Sequence, residues 1–580
     1  MTSRGKKHDV NVADTSELVQ VHIRARTYVV IASVSLAYLV QLVAIVGSGL
    51  LAHDLELYFG SENEGVWFNQ AIGIMVAALN PPLSQAADFW GRKWIVVGCM
   101  IFGVIGSIII ARARNMATAI AGFVVIGICF GCQSLLHAIV SEVAPRKHRP
   151  VAQGTLNAAA GLGAFIGIVM GGALLRNHVA SNYRVYFYVL AGVAFISAMG
   201  ITTCYNPPPR EAQVTLTKAE KLKRLDFVGY LLLAPGLTLF CIALSWSHNP
   251  YPWSDSRILS TFVLGMALII GFTIYEWRFN KVGLLDHRLF KNKNFGLSLI
   301  TIFAEGLPFF AVNTYFSFQI SIFTRKDFFI SGMHYAVSFL ASLVIAIAVG
   351  FYSSWAQSLR VPTIIGFLFM LIFNIVMAAT YTSDIGAAYW GLSVLLGAGQ
   401  GIILPLIMVF AQLSTPPDLI STSSALVITC RAIGGTVGLA VCNAIFTSAM
   451  GTEVPHKIAA AVLPLGLPSS SLGLLIEALI TQDYAALAKI PGVTTTITDA
   501  ASDALVSAYG VAFRNCWIAS ACFCVPALIA STMYRDPKAE FTSHIDAPAE
   551  EIVVETQVKL EGTFVPDQKS RGEAREIESV

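Results

Sequence analysis

The chain reads Ser84-Gln-Ala-Ala-Asp-Phe-Trp-Gly-Arg-Lys93 where one long apolar run ends and the next begins. Asp88 stands at the end of the first run, and Gly91 permits a tight turn because it carries no side chain. Arg92 and Lys93 open the second run, so Asp88 can pair with Arg92 or with a neighbouring helix. The pattern predicts a charged turn between two helices, and such a cluster can latch two parts of a protein in one conformation.

Fourteen apolar runs make up most of the chain, and many are close to the ~20 residues that span a bilayer. Of 580 residues, 55% are hydrophobic and 13% are charged; a soluble protein typically has about 25% charged residues. A net charge of +3 gives no reason to expect a nucleic-acid partner. The composition predicts an all-α polytopic membrane protein in contact with the lipid bilayer. The runs lie at 27–51, 66–83, 94–111, 117–141, 153–175, 183–204, 227–247, 257–276, 295–320, 332–354, 361–381, 387–411, 420–447 and 511–533.

Lys and Arg are distributed unequally between the two sides of the predicted membrane. With the amino terminus in the cytoplasm, 27 of the 38 fall in cytoplasmic segments and 10 in outside segments or at the outside ends of the runs, and Arg431 lies deep within a helix. Cytoplasmic loops of membrane proteins carry an excess of these cations. We therefore predict that both termini are cytoplasmic, since an even number of spans returns the chain to its starting side.

The polar connections divide the chain into two six-helix bundles with two helices inserted between them. Basic linkers flank the inserted pair, which gives a six-plus-two-plus-six organisation. From about Pro537 the chain is polar and leans acidic, which predicts disorder. The predicted segments are a cytoplasmic N-tail at 1–26, a first bundle at 27–204, linker loops with two inserted helices at 205–294, a second bundle at 295–533 with a long outside loop at 451–510, and a disordered cytoplasmic C-tail at 534–580.

The fifth run contains glycines at intervals of four residues: Gly163, Gly167 and Gly171, followed by Gly172. Positions spaced by four lie on one face of a helix, and glycine there lets a neighbouring helix approach closely. The pattern predicts a close helix contact. A generic packing stripe and a functional motif both account for it.

Ionisable side chains inside the apolar runs are costly and indicate function, and three of them stand out. Glu305 in the ninth run is a candidate proton or substrate site, or the structural partner of a buried cation. Arg431 in the thirteenth run is its candidate partner, or a structural anchor. His137 in the fourth run is a further candidate, although a histidine in this setting is more often a satisfied core residue. The polar residues Gln133 and Asn313 complete the candidate set.

The 62 aromatic residues offer material for the wall of a cavity. Such a wall suits an amphiphilic organic substrate better than a sugar or an inorganic ion. The aromatic candidates are Trp67, Phe68, Phe309, Phe310, Tyr315 and Phe316.

Signatures of catalysis and of nucleotide binding are not found in the sequence. No Gly-x-x-x-x-Gly-Lys-Ser/Thr phosphate loop occurs, so we do not expect ATP-driven transport by this chain. No zinc, serine-hydrolase or haem signature occurs either. We therefore expect no enzyme activity, no cofactor and no metal.

Several of these motifs resemble those of a known family. The stretch Ser84–Lys93 resembles the charged motif that major facilitator transporters place between helices 2 and 3. The glycines of the fifth run resemble the G-x-x-x-G-P-x-x-G-G motif of exporters in that superfamily, with Ile168 in place of the proline. More narrowly, the chain is similar to the fungal trichothecene efflux pumps, a fourteen-helix group of drug:proton antiporter type close to the siderophore-iron transporters. The narrower resemblance lies in Glu142–Gly154, Arg431–Gly438, Leu467–Ser471, Ile490–Thr494 and Ala508–Arg514.

The resemblance implies a major facilitator fold with a central site that is exposed to the two sides of the membrane in turn. It implies proton-driven export of a toxin, drug or secondary metabolite from a fungal cell. The family often carries an arginine where this chain has Phe123, so proton coupling must use other groups. We expect a monomer in the plasma membrane, or alternatively the vacuolar membrane, that exchanges a small molecule for protons. The alternative function is proton-coupled import of ferric siderophores.

Overall fold

The fold is described from a computed structural model of the chain. It describes residues 25–60, 65–175, 180–209, 211–246, 252–280, 283–324, 328–380, 386–480, 487 and 490–549. Within these ranges every regular element is a helix and no strand occurs. The predicted N-tail, apart from Ala25 and Arg26, lies outside the described residues.

Each of the fourteen predicted runs forms a helix in the described part of the chain, and we number these helices α1 to α14. Thirteen of them are long and apolar enough to cross a membrane. The prediction of an all-α, multi-pass membrane protein is thus confirmed. The helices are α1 Ala25–Leu50, α2 Val66–Trp90, α3 Arg92–Ala111, α4 Met116–Val143, α5 Arg149–Leu175, α6 Tyr183–Cys204, α7 Phe227–Trp246, α8 Ser256–Arg278, α9 Lys293–Thr324, α10 Phe328–Ala356, α11 Arg360–Ala379, α12 Ala388–Leu413, α13 Ile420–Val462 and α14 Thr495–Thr532.

Helix α2 is the one of these fourteen that is not among the thirteen. It packs against α4, α7 and α13. Asn80 is fully buried and its amide donates to the carbonyl oxygens of Val76 at 2.8 Å and Phe130 at 3.3 Å. The helix continues through Pro81 and Pro82 to Trp90, beyond the predicted end at 83. Neighbouring helices supply partners for its polar groups, which lets a less apolar helix lie inside the protein.

The helices form two bundles that meet along two main contacts. In the first bundle α1 packs on α5 and α6, and α3 packs on α4 and α6. In the second, α9 packs on α13 and α14, and α10 and α11 pack on α12. The bundles meet where α5 packs on α10 and where α2 packs on α13.

The inserted helices α7 and α8 pack on each other at one side of this arrangement. Helix α7 also contacts α2 and α13, so it lies beside the junction of the two bundles. In the most apolar 18-residue stretch of α8 only 17% is buried inside the protein, whereas the corresponding share in α7 is 44%. Helix α8 therefore offers most of its surface to lipid.

The glycines of α5 lie where this helix contacts two others. A Cβ on Gly163 would overlap the Leu39 carbonyl of α1, and one on Gly167 would lie 3.2 Å from the Tyr186 hydroxyl of α6. On the other side of α5, a Cβ on Gly161 would lie 2.8 Å from the Phe339 carbonyl oxygen of α10. The predicted close contact thus exists, and it joins α5 mainly to its own bundle. Gly171 and Gly172 are buried farther along the helix.

The segment 451–510 is more helical than an outside loop. Helix α13 continues to Val462, a short helix covers Leu472–Ile480, and α14 begins at Thr495. Apolar side chains from these three pieces form a separate small core, which explains why they are helical. The core includes Val454, Ile458, Val462, Leu475 and Ile497.

The prediction of a disordered C-tail is wrong for residues 534–549. Tyr534 and Phe541 are buried in an apolar cluster with side chains of α10 and α12. Asp546 is buried among arginine side chains. A polar segment can be ordered when its few apolar residues are buried and its charges are paired. Residues 550–580 lie outside the described residues.

Candidate functional site

The centre of the candidate site is an ion pair between α9 and α13. Nε of Arg431 donates to Oε2 of Glu305 at 2.7 Å, and Nη2 donates to Oε1 at 3.0 Å. The Glu305 side chain is 1% exposed and that of Arg431 is 15% exposed. Two parallel bonds between a guanidinium and a carboxylate form a strong, directional contact. The structure therefore brings together two residues that are 126 positions apart in sequence.

Glycines allow the two helices to come close enough for this pair. A Cβ on Gly306 would overlap the Arg431 carbonyl oxygen, and one on Gly434 would overlap the Phe303 carbonyl oxygen. A Cβ on Gly438 would lie 2.5 Å from the Cα of Leu307. The segment Arg431–Gly438, noted in the sequence as a family resemblance, thus has a packing reason. Its glycines place the guanidinium beside the carboxylate.

Arg431 also borders a cavity of about 120 Å³ between the bundles. Its guanidinium lies 4.1 Å from the centre of the Phe309 ring, in a cation–π contact. Most of the lining is apolar or aromatic, with a few polar side chains. The cavity is lined by Tyr38, Leu42, Ile45, Val46, Gly73, Val76, Phe130, Gln133, Phe309, Phe310, Asn313, Phe339, Ile428, Arg431, Ala432 and Thr436.

Two of the predicted polar residues, Gln133 and Asn313, line this cavity. The amide of Gln133 donates to the Tyr38 hydroxyl at 3.2 Å. Helix α4 is interrupted at residues 131–132, just before Gln133, so this side chain starts a new helical segment. Tyr38, on α1, is a site residue that the sequence reasoning missed, because a single tyrosine in an apolar run carries no distinctive signal.

His137 does not line the cavity but belongs to a buried polar network beside it. The ring packs edge-on against that of Tyr38, with 5.2 Å between the ring centres. Its Nδ1–H donates to Oε1 of Gln153 at 2.7 Å. The Gln153 amide donates to the carbonyl oxygen of His137 at 2.7 Å and to the Ser141 hydroxyl at 2.7 Å. The Ser141 hydroxyl in turn donates to Oε1 of Gln412 at 2.5 Å. Since Ser141 is in the first bundle and Gln412 in the second, this network joins the bundles.

Only two of the six aromatic candidates, Phe309 and Phe310, line the cavity. Phe68 stacks on Phe123 at 4.4 Å, so the position where the family often carries arginine is part of a buried aromatic pair. The other three are in packing contacts outside the cavity wall: Trp67 with Trp246, Tyr315 with Phe446 and Phe316 with Phe373.

The predicted latch residues form a second charged site at the junction of α2 and α3. Gly91 adopts φ 92° and ψ 145°, a conformation that favours glycine, so the predicted tight turn is present. Nη2 of Arg92 lies 3.3 Å from Oδ1 of Asp88. The Thr422 hydroxyl of α13 donates to Oδ2 of Asp88 at 3.4 Å, which connects the latch to the second bundle. Lys93 bonds Oδ1 of Asn206 at 2.5 Å.

Arg92 has a further partner that the sequence reasoning did not assign. It is 4% exposed and forms an ion pair with Glu142, which is fully buried at the end of α4. Glu142 stands in the stretch Glu142–Gly154 and was noticed only as part of a family resemblance. We use "Asp88 face" for the end of the molecule that carries the α2–α3 turn, the start of α5 and residues 534–549.

A wider groove of about 1000 Å³ opens on the Asp88 face beside the inserted helices. Its lining is strongly charged, and it lies at the ends of the helices rather than between the bundles. The apolar central cavity is therefore the better candidate for an amphiphilic substrate. The charged residues of the groove are Asp88, Lys223, Arg224, Asp226, Asp286, Arg288, Asp418 and Asp546.

Comparison with protein families and curated relatives places this geometry in context. Residues 30–439 match the Major Facilitator Superfamily. The chain is 24% identical to the MFS-type efflux pump MFS1 of Arthroderma benhamiae over 66% of this chain and 71% of that protein. It is 26% identical to the MFS-type transporter astH of Aspergillus oryzae, over 70% of this chain and 72% of that protein. It is 22% identical to the trichothecene efflux pump TRI12 of Fusarium sporotrichioides, over 82% of this chain and 79% of that protein.

Solved structures show the same fold at low sequence identity. The proton:xylose symporter XylE superposes with a TM-score of 0.55 at 11% identity, covering 88% of this chain and 95% of that one. The human organic anion transporter MFSD10 superposes with a TM-score of 0.53 at 13% identity, covering 88% of this chain and 100% of that one.

Proposed function

This chain belongs to the major facilitator superfamily of transporters, and we propose that it exports a small amphiphilic organic compound in exchange for protons. The observation that carries the proposal is the Glu305–Arg431 ion pair beside an aromatic cavity between the two bundles. The direction is supported by relatives that are named efflux pumps, among them one named for trichothecenes. The fold supports transport by alternating access.

The cavity favours a substrate that is uncharged and largely apolar. Both oxygens of Glu305 accept hydrogen bonds from Arg431, so the two charges compensate each other. Phe309, Phe310 and Phe339 provide apolar surface, while Gln133 and Asn313 offer hydrogen bonds to substrate oxygens. At about 120 Å³ the cavity is smaller than typical ligand sites of ~300–1,000 Å³. It must therefore widen as the bundles move.

Glu305 is the group that we assign to proton coupling. When Glu305 is ionised, Arg431 is held against it and over the Phe309 ring, and the aromatic wall is available to substrate. When Glu305 takes up a proton, the carboxylate charge is lost and the guanidinium keeps an uncompensated charge. An unpaired cation in this site requires water or a new acceptor and disfavours an apolar substrate. Protonation and substrate binding then exclude each other, as exchange requires.

The charge distribution and the family support a proposal for the membrane and the orientation. We propose a monomer in the plasma membrane with both termini and the Asp88 face in the cytoplasm. The excess of Lys and Arg on that side supports this orientation.

The experiment that tests the function is net flux in yeast cells that lack their own pumps. Cells expressing this chain are loaded with a labelled trichothecene or a labelled ferric siderophore, with and without a proton uncoupler. We expect uncoupler-sensitive loss of the trichothecene. Uncoupler-sensitive gain of iron would contradict export and establish the siderophore importer instead.

A further inference from the structure

Residues 534–549 form an ordered segment, which we name the strap, that begins on the second bundle. The Tyr534 ring stacks on that of Phe410 in α12, with 4.1 Å between the ring centres. The Tyr534 hydroxyl lies 2.7 Å from the hydroxyl of Thr301 on α9. Asp536 accepts hydrogen bonds from the backbone N–H groups of Leu359 at 2.7 Å and Arg360 at 2.9 Å. Asp536 thereby satisfies free N–H groups at the start of α11. This end of the strap contacts α9, α11 and α12.

The other end of the strap is bound to the first bundle, at the start of α5. Nη1 of Arg146 bonds Glu540 at 2.5 Å and Nη2 bonds Asp546 at 2.8 Å. Asp546 also forms an ion pair with Arg149, and the two side chains are 2% and 1% exposed. Two buried charges that face each other in this way depend on each other, because removing one leaves the other without compensation.

Backbone hydrogen bonds add to these ion pairs. The N–H of Arg146 donates to the carbonyl oxygen of His544 at 3.0 Å, and that of Lys147 donates to Thr542 at 2.9 Å. Farther along, the N–H of Ala547 donates to Glu142 at 3.1 Å and that of Asn206 donates to Ala549 at 3.1 Å. The strap therefore contacts the first bundle at three places: the end of α4, the start of α5 and the residues after α6.

Asp546, the buried acidic residue of the strap, is held in its charged form. Burial alone would raise the pKa of Asp546, but its hydrogen bond to Arg146 and the positive charges of Arg149 and Arg146 outweigh burial and lower that pKa. The ion pairs are therefore present throughout the neutral range.

A strap with one end on each bundle restricts their relative movement. Alternating access requires the bundles to separate on one face of the membrane and close on the other. We propose that the strap fastens the Asp88 face in its closed arrangement and that residues 540–549 must leave the start of α5 before this face opens. The inference goes beyond the exchange reaction, and only its transport readout rests on the proposed function.

The test is a covalent lock across the contact. Lys147→Cys and Thr542→Cys place one thiol on each side of a backbone hydrogen bond between the first bundle and the strap. The matched control is Ser358→Cys with Asp536→Cys, a side-chain contact of 3.0 Å that joins the strap to the second bundle alone. Single-cysteine variants correct for the native thiols. The bridged peptides are identified by mass spectrometry after oxidation or reaction with a short bismaleimide.

The readout that needs no substrate is access to the cavity from the Asp88 face. Asn313→Cys is added to each pair, and labelling by a membrane-impermeant maleimide is measured in vesicles that present this face outward. We expect the 147–542 bridge to lower the labelling rate about tenfold, because the open arrangement becomes rare. The control bridge should leave it unchanged. Transport by the 147–542 pair without Asn313→Cys should fall in parallel and recover when the disulfide is reduced.

Two outcomes would overturn the strap as a fastener. One is failure of the 147–542 bridge to form in folded protein. The other is equal labelling of locked and unlocked protein. If labelling falls as expected but no variant, including the parent chain, carries the tested compounds, the proposed function fails and the strap stands.

Discussion

The protein contains two charged regions that differ in what they connect. The Glu305–Arg431 pair lies between helices of the same bundle, at the wall of the central cavity. On the Asp88 face, the contacts of Asp88 with Thr422, of Ser141 with Gln412 and of the strap with the start of α5 all join one bundle to the other. A change of charge at the first region alters the cavity, whereas a change at the second alters how the bundles are held together.

We propose that the first region serves proton and substrate binding and that the second serves the conformational change. Substitutions at the ion pair should change proton coupling and substrate binding. Substitutions on the Asp88 face should change the rate or balance of the conformational change and leave the cavity intact. The predictions that follow test this separation.

The largest effect is expected for Glu305→Gln. The glutamine keeps the shape but cannot ionise, so proton-driven export should be abolished and the remaining flux should no longer depend on pH. Removing one partner of a buried ion pair typically costs about 3–5 kcal/mol, so less protein should reach the membrane. Uncoupler-sensitive export per amount of membrane protein is the measurement.

A matched double variant separates stability from coupling at this site. Glu305→Gln with Arg431→Met removes both charges and should restore protein level without restoring export. An unchanged pH profile in Glu305→Gln would contradict the assignment of the proton to this residue.

A smaller effect is expected for Gly306→Ala, which tests whether helix packing positions the ion pair. The new Cβ would overlap the Arg431 carbonyl oxygen, so α9 and α13 must move apart. Overpacking of this kind costs about 1–3 kcal/mol, which should lower the melting temperature and the export rate together. Gly296→Ala on the same helix is the control, since its Cβ would meet no atom within 4 Å. Equal behaviour of the two variants would refute the packing role.

Asp88→Asn should lower the export rate severalfold while protein level stays normal. Asparagine keeps an oxygen for the Thr422 hydroxyl but loses the charge that faces Arg92. Arg92 retains Glu142, so the fold should persist. Thr422→Val removes the contact between bundles by a different route, and loss of one hydrogen bond is worth about 1 kcal/mol. If neither variant changes the export rate, Asp88 is not a latch.

The smallest effect concerns the pH dependence of the strap. A carboxyl whose pKa is lower in the folded state stabilises its contact above its ordinary pKa, and the contact weakens as the pH falls through the lowered value. Relative to the control 358–536 bridge, which shares the dependence of the reaction on thiolate, the 147–542 bridge should therefore form equally well from pH 7 to about 5 and less well below about 4. His544 lies 3.6 Å from Asp546, and Arg146 and Arg149 face Asp546 from the start of α5. A loss of bridging between pH 7 and 6 that the control bridge does not show would contradict the assignment to Asp546.

Much of the fold could be predicted because the requirement that a lipid-embedded segment be helical acts on each apolar run separately. Each apolar run long enough to cross a bilayer has to be a helix, so all fourteen runs became helices within the described residues. The prediction that failed has a local reason. The strap was interpreted as a disordered tail because its composition is that of a tail.

The candidate site was predictable only as a set of residue types. Glu305 and Arg431 were noticed because charge inside an apolar run is costly. The sequence offered Arg431 as a candidate partner, but a carboxylate and a guanidinium can also be satisfied separately. Their bidentate contact depends on the glycines that let α9 and α13 approach. His137, chosen by the same rule, lies instead in the network with Gln153 and Gln412.

The sequence by itself determined the membrane class, the fourteen long helices within the described residues, the charged α2–α3 turn and the residues with intramembrane charge. Each of these follows from the free energy of placing a given side chain in lipid or water, which depends on position along one helix. The tertiary structure alone decided which helices face each other, which carboxylate each arginine contacts, and that Asp546 of a polar tail is buried against Arg149. Those pairings bring together residues up to 400 positions apart, and only the packing of whole helices determines such distances.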